Sequence, residues 1–347
     1  MSNDVVDWDL AVSVGRRLTP GGPELSTDDT YAAVSDLRAL ARSAVAPVRE
    51  RTGLVAESDD ALAVVVDRAT WLASNVDGFR VVLEPMLERL RGKKDSSPVT
   101  MAVGSRATAV QLGTVLAYLS GKVLGQFEAF TTTGDRGRLL LVAPNIVATE
   151  RALGVNPHDF RLWVCLHEET HRVQFGAVPW LTEHLVSQIH SYLELTQNDG
   201  AELARRVVAA LVASARGGSG TSLIDAAQSP AQKVAFDRIT ALMSLLEGHA
   251  DYVMDAVGPE IVPSVATIRA RFDARRGSHV GLDGLLRRLL GLDAKMAQYA
   301  DGAAFVRSVV DRVGIDGFNT VWRSPADLPS RDEVAAPDSW CARVLDA

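Results

Sequence analysis

NPHDFRLWVCLHEETHRVQF, residues 156–175, reads as one helix with a marked start. Asn156 is a good N-cap, Pro157 suits the first helical position, and Asp159 places an acid in the first turn, where the helix dipole favours it. The helix is expected to stop near Gly176, a residue tolerant of the left-handed C-cap conformation, with Pro179 preventing continuation. Between these ends Phe160, Trp163, Val164, His167 and His171 recur three and four apart, so both histidines share a face with an apolar stripe.

His167-Glu168-Glu169-Thr170-His171 has the H-E-x-x-H spacing, in which imidazoles at i and i+4 reach one zinc ion and the glutamate reaches its water. Each residue type has a reason. Neutral imidazoles hold Zn²⁺ without cancelling its charge, the ion lowers the pKa of its water to roughly 7, and a carboxylate accepts the proton as the water attacks a carbonyl. Glu168 stands in that last position. Chance would give this pattern on the order of 0.01 times in a chain with so few histidines. The structural alternative is a histidine pair on a core face, with Glu168 bonded to Arg172 as an i,i+4 pair.

Working outward, the 347 residues are 47% hydrophobic, enough to bury a large core in one domain or two intimate ones. A net charge of −7 and a pI near 5.6 leave no electrostatic footprint for nucleic acid or anionic lipid. The first ten residues, MSNDVVDWDL, lack a basic and apolar leader, and no apolar run approaches the ~18 residues of a membrane span. A cytoplasmic protein without nucleic-acid or membrane partners is expected. Two cysteines are too few for a disulfide framework, and Cys165, off the histidine face, reads as a small buried hydrophobe.

The remaining chain is mainly helical. Caps at Ser26-Thr27-Asp28-Asp29 open a helix to about Arg51, and a second run, Ser58 to Arg91, carries Ala61, Val65, Ala69, Leu72 and Val76 at helical spacing, with Pro85 kinking or dividing it. Residues 93–98, KKDSSP, read as a surface turn, and another apolar helix follows from Ser105 to Gly125. The period then changes. Gln126 to Thr132 and Arg138 to Ala143 are β-leaning runs around Thr133-Gly134-Asp135-Arg136-Gly137, a hairpin that reads equally as an exposed edge for an extended peptide beside the metal helix or as a small sheet covering the core. Helices are expected at Trp180–Leu195, Ala201–Arg216, Pro230–Val257 and Ala303–Val313, with a loop from Gly217-Gly218-Ser219-Gly220 to Pro230 and a break at Gly314 before a last short helix around Arg331. His184 and His190, six apart, do not share a face and read as structural or exposed.

Two histidines and a water leave a catalytic zinc one protein ligand short, and a carboxylate from another helix is a common third. Glu247, in Leu246-Glu247-Gly248-His249-Ala250-Asp251-Tyr252, is the expected residue, with His249 and Asp251 as competitors. Asp251, one turn further on, is otherwise placed to accept a hydrogen bond from a ligating histidine and fix its orientation.

Together HEETH at 167–171 and EGHADY at 247–252 resemble the gluzincin pattern of zinc metallopeptidases, whose second helix often reads Glu-Gly-x-Ala-x-Tyr. The resemblance implies His167, His171 and Glu247 as zinc ligands and Glu168 as base. It is not the metzincin pattern, because Gln174 and Ala177 stand where that pattern needs glycine and a third histidine. The chain as a whole is similar to a family of uncharacterised zincin-like hydrolases, some members of which are linked to biosynthesis of a deazaflavin coenzyme. The matching stretches include VDWDLAVSVGRRL, NVDGFRVVLEPML, GVNPHDFRLWVCLHEETHRVQF, EGHADYVMDAVG and YADGAAFVRSVVDRVGIDGFNTVW.

The expectation is therefore a mainly α zincin-like metallopeptidase fold with a small β-hairpin. It is expected as a single domain, with an amino-terminal helical part at about 1–125 and a metal-binding part at about 126–347. The expected activity is zinc-dependent hydrolysis of a peptide or amide carbonyl, with Glu168 as general base. The alternative is a non-catalytic zincin-derived scaffold that binds a metal or a partner, against which a carboxylate between two ligands weighs.

Overall fold

The computed structural model describes residues 6–56, 63–91, 98–130, 137–196, 229–277 and 292–346. In chain order they form α1 (Trp8–Leu18), α2 (Thr27–Thr52), β1 (Ala63–Val66), α3 (Arg68–Arg91), α4 (Pro98–Ser120), β2 (Gly125–Glu128), β3 (Arg138–Val142), α5 (Ala143–Leu153) and α6 (Pro157–Ala177). These are followed by α7 (Leu181–Thr196), α8 (Pro230–Ala256), α9 (Gly258–Ile261), α10 (Val265–Gly277), α11 (Leu292–Phe318), two short 3₁₀ turns, α12 (Arg331–Ala335) and α13 (Pro337–Val344). The fold is mainly α with one small sheet, as the sequence reading expected. The expected helix Ala201–Arg216 and the glycine-rich loop after it lie outside the described residues, apart from the loop's last two. Among the described residues, no helix is long and apolar enough to cross a membrane.

The chain forms two compact units, Met1–Pro179 with Ala250–Asp293, and Trp180–His249 with Ala294–Ala347. In the first, the sheet has the order β1-β3-β2. β2 pairs antiparallel with β3, from Gly125 opposite Leu141 to Glu128 opposite Arg138, so the expected hairpin is present. β1 was not expected. It pairs parallel to β3, Ala63 opposite Leu139, and takes the front of the run read as helix. Three consecutive valines, stiff at χ1 and suited to a pleated surface, outweigh the helical spacing of Val65 and Ala69 once β3 offers a ladder. Helix α3 starts only at Arg68, with Asp67 Oδ1 accepting from the Thr70 amide at 2.7 Å, and it runs undivided past Pro85.

β3 lies in the middle, and its side chains alternate between two cores. Leu140 and Val142 pack with Trp8, Trp71, Leu72 and Leu116 of α1, α3 and α4. Leu141 faces the other way, into a core built from Leu37, Ala41 and Ala44 of α2, Phe160, Trp163 and Val164 of α6, and Val253 and Met254 of α8. Helices α1 and α4 cross closely because Gly113 has no side chain: a Cβ there would lie 2.5 Å from the Ala11 carbonyl oxygen.

In the second unit α8 crosses α11 at two glycines. A Cβ on Gly248 would lie 2.2 Å from the Gly302 carbonyl carbon, and one on Gly302 would lie 2.0 Å from the Ser244 oxygen. Helix α11 breaks at Gly314, whose φ of 74° is open to glycine, and this is the break the sequence marks. Trp340 and Phe305 meet edge to face at 5.7 Å, with Trp340 Nε1 donating to the Asp327 carbonyl at 2.7 Å.

Candidate metal centre

Helix α6 begins as its sequence dictates: Asn156 Oδ1 accepts from the Asp159 amide at 3.1 Å and Pro157 occupies the first turn. Asp159 also ties this start to the segment before α10, accepting from the Ser264 amide at 2.9 Å and the Ser264 hydroxyl at 2.6 Å. The helix ends at Ala177, near Gly176 as expected, but its cap Val178 has φ −118°, not the left-handed value expected of a glycine cap. Gly176 serves packing instead, since a Cβ there would lie 2.8 Å from that of Ala56.

Arg172 takes the neighbouring Glu169. Its Nε donates to Glu169 Oε2 at 2.7 Å and its Nη2 to Glu169 Oε1 at 2.5 Å, a fork on a carboxylate with both residues buried. Glu168 is buried as well, at 5% exposure, and its carboxyl lies against bare backbone. A Cβ on Gly125 would come within 2.6 Å of Glu168 Cδ and 2.7 Å of Oε1. Gly125 therefore leaves the room that the Glu168 side chain occupies. Cys165 is fully buried, its Sγ 4.0 Å from the Leu37 carbonyl; burial first, then nearby carboxylates of Glu168, Asp36 and Glu169, push the thiol far up. It is the inert hydrophobe that its place on the helix suggests.

His167 and His171 stand edge to face with ring centroids 4.8 Å apart, and their Nε2 atoms are 3.2 Å apart. His171 Nδ1 meets Gln174 Oε1 at 2.9 Å, and His167 Nδ1 meets Met254 Sδ at 3.1 Å. An Nδ1–H donated to each acceptor leaves both Nε2 lone pairs pointing at the same space. Lone pairs that close repel unless a cation or a shared proton lies between them. A carboxylate completes the group: donor atoms of His167, His171 and Glu247 all lie within 4.8 Å of one another, and the three residues are half-buried. Two Zn–N bonds of about 2.0–2.1 Å at a tetrahedral angle set their nitrogens about 3.3–3.4 Å apart, so the imidazole spacing fits a zinc ion.

Glu247 lies on α8, the helix in which the two units divide, one to two turns before Val253 and Met254 in the first unit's core. His249, the competitor at this turn, is fully buried and packs its ring on Phe318 at 5.2 Å and Trp322 at 5.7 Å. Asp251 Oδ1 accepts from Arg269 Nη1 at 3.2 Å, while the same guanidinium bonds Asp255 at 2.7 Å and lies 5.5 Å from the Trp163 ring. Burial opposes the charge on Arg269, but Asp251 and Asp255 outweigh it and raise its pKa. Gln174 and Met254, the partners of the imidazole Nδ1 atoms, were missed from sequence. Gln174 carried a usable signal in its position three residues after His171 on one helix.

Two histidines one turn apart with a glutamate between them, joined by a glutamate from a second helix, match the donor pattern expected of a zincin. The chain belongs to the zincin-like metallopeptidase family, whose model matches residues 6–341. A crystal structure from Chloroflexus aurantiacus, described as "a putative hydrolase with a novel fold", is 30% identical, with a TM-score of 0.70 over 97% of this chain and 98% of that one. No curated protein matches the chain. Family and neighbour point to a hydrolase, and the family to a metal that is typically zinc.

Proposed function

We propose that the protein is a zinc-dependent hydrolase of peptide or amide bonds in which His167, His171 and Glu247 hold the ion and Glu168 is the general base. The observation that carries this reading is the convergence of two imidazole Nε2 atoms and one carboxylate on a common space. Bound zinc would supply Lewis-acid polarisation of a carbonyl and acidify a water. The proton belongs to Glu168, whose carboxylate takes it from the attacking water and returns it to the leaving nitrogen. Gly125 keeps the space beside that carboxylate free of side chain. β2, the strand that contains Gly125, is an edge strand, so an extended substrate adding to its outer side would run past Glu168. Asp251, one turn beyond Glu247 and ion-paired to Arg269, supports the ligand-bearing stretch from outside the donor set.

Glu168→Gln tests the assignment. Purified wild-type and variant protein should hold equal zinc by plasma mass spectrometry, while turnover of a quenched fluorescent peptide library falls by about 10²–10⁴-fold in the variant. Undiminished turnover in Glu168→Gln would sink the base assignment. Wild-type protein that binds zinc and cleaves no peptide or amide would leave the scaffold reading in its place.

A further inference from the structure

The first unit contains a cleft of about 370 Å³ where the α1–α2 connection passes over the starts of α3 and α5. That volume falls within the roughly 300–1,000 Å³ of small-molecule sites. Its walls are largely apolar, from Pro20, Pro23, Leu25, Val34, Pro144 and Val147. One cation, Arg68, faces this surface, and it is held in place from behind. Asn145, buried, donates through Nδ2 to the carbonyls of Ser120 at 2.7 Å and Val123 at 2.6 Å, which fixes its Oδ1 to accept from Arg68 Nε at 2.6 Å. Arg68 Nη1 donates to the carbonyls of Pro20 and Gly21.

All three acceptors are neutral. Among the described residues no carboxylate pairs with Arg68, and its Nη2 makes no hydrogen bond. Burial lowers its pKa, as expected for a guanidinium desolvated without a counter-charge. The other polar groups of the cleft are already committed. The Thr19 hydroxyl donates to the Gly15 carbonyl and the Thr30 hydroxyl to that of Ser26, each at 2.9 Å. Asp67 caps α3, and its negative charge at the rim opposes a multiply charged anion. We propose that this cleft binds a small organic monocarboxylate with an apolar body, its carboxylate on Arg68 and its body against the proline and valine walls. A preorganised guanidinium with its Nη2 left over suits a single carboxylate, and a lone cation without hydroxyl donors is a poor match for phosphate.

Isothermal titration of the full chain with sodium 4-methylpentanoate tests this, with 4-methylpentanamide and inorganic phosphate in parallel. The acid should bind at least tenfold more tightly than the amide, with phosphate weaker than both, and Arg68→Met should weaken the acid at least tenfold. Because Arg68 also anchors the α1–α2 connection, Val34→Phe is the second variant: it fills the cleft, leaves the guanidinium in place, and should abolish binding with an unchanged melting midpoint. Failure of the acid to bind, equal binding of acid and amide, phosphate binding as tightly as the acid, or full binding in folded Val34→Phe would each overturn the proposal.

Discussion

On α6 the histidines stand where local rules put them: an Asn cap and a Pro at N1 start the helix, and a four-residue spacing stacks two rings one turn apart. On α8 the local sequence gives Glu247 a helix, but what fixes the helix is tertiary, a crossing with α11 so close that neither Gly248 nor Gly302 has room for a methyl group. Two of the three candidate donors are thus a product of helix chemistry and the third of backbone contact. Damage to the two helices should differ in kind as well as in size.

The largest effect is expected inside α6. Arg172→Ala leaves Glu169 charged and buried with its forked partner gone, and should lower stability by about 3–5 kcal/mol in denaturant unfolding. The paired change Glu169→Leu with Arg172→Met removes both charges and should recover most of that loss. A double variant as unstable as the single one would show that shape, not charge, decides this stretch.

Gly125→Ala comes next and acts on chemistry. The added methyl group meets the Glu168 side chain before any other, so turnover should fall by about 10²-fold, roughly 2.7 kcal/mol, with zinc content preserved. Loss of zinc together with activity would mean that Gly125 shapes the donor set and not the base. Gly248→Ala should cost about 1–3 kcal/mol through the forced separation of α8 and α11, and it should weaken zinc binding because Glu247 moves with its helix. Calorimetry and zinc titration on that variant separate the two effects; unaltered zinc affinity would detach Glu247 from the crossing.

Where sequence was legible, the cause was local. The capped start of α6, the full length of α8, the β2–β3 hairpin and the break at Gly314 all follow from residues near in the chain. The misreadings share a distant partner. Val64, Val65 and Val66 become strand because Leu140, Leu141 and Val142 lie alongside; the valine run leans towards strand, but the ladder that uses it is distant in the chain. Gly176 is a packing residue and not a left-handed cap because Ala56 touches it. Glu247 was legible from its motif alone; the reason for the glycine beside it became visible only with Gly302 in place.

The smallest effect should come from the start of α6, and it tests the comparison from its other side. Asn156→Ala removes the acceptor for the Asp159 amide and should lower stability by about 1 kcal/mol, with Asn156→Asp restoring it because a carboxylate accepts the same bond at the favourable end of the dipole. The histidines lie about three turns further on, and the first turn keeps a second anchor in the bonds from Ser264 to Asp159. Zinc affinity should therefore stay within about twofold of wild type, since a frayed cap unsettles only the first turn. If Asn156→Ala weakened zinc binding as much as Gly248→Ala, the α6 ligands would depend on distant structure as Glu247 does, and the distinction between the two helices would fail.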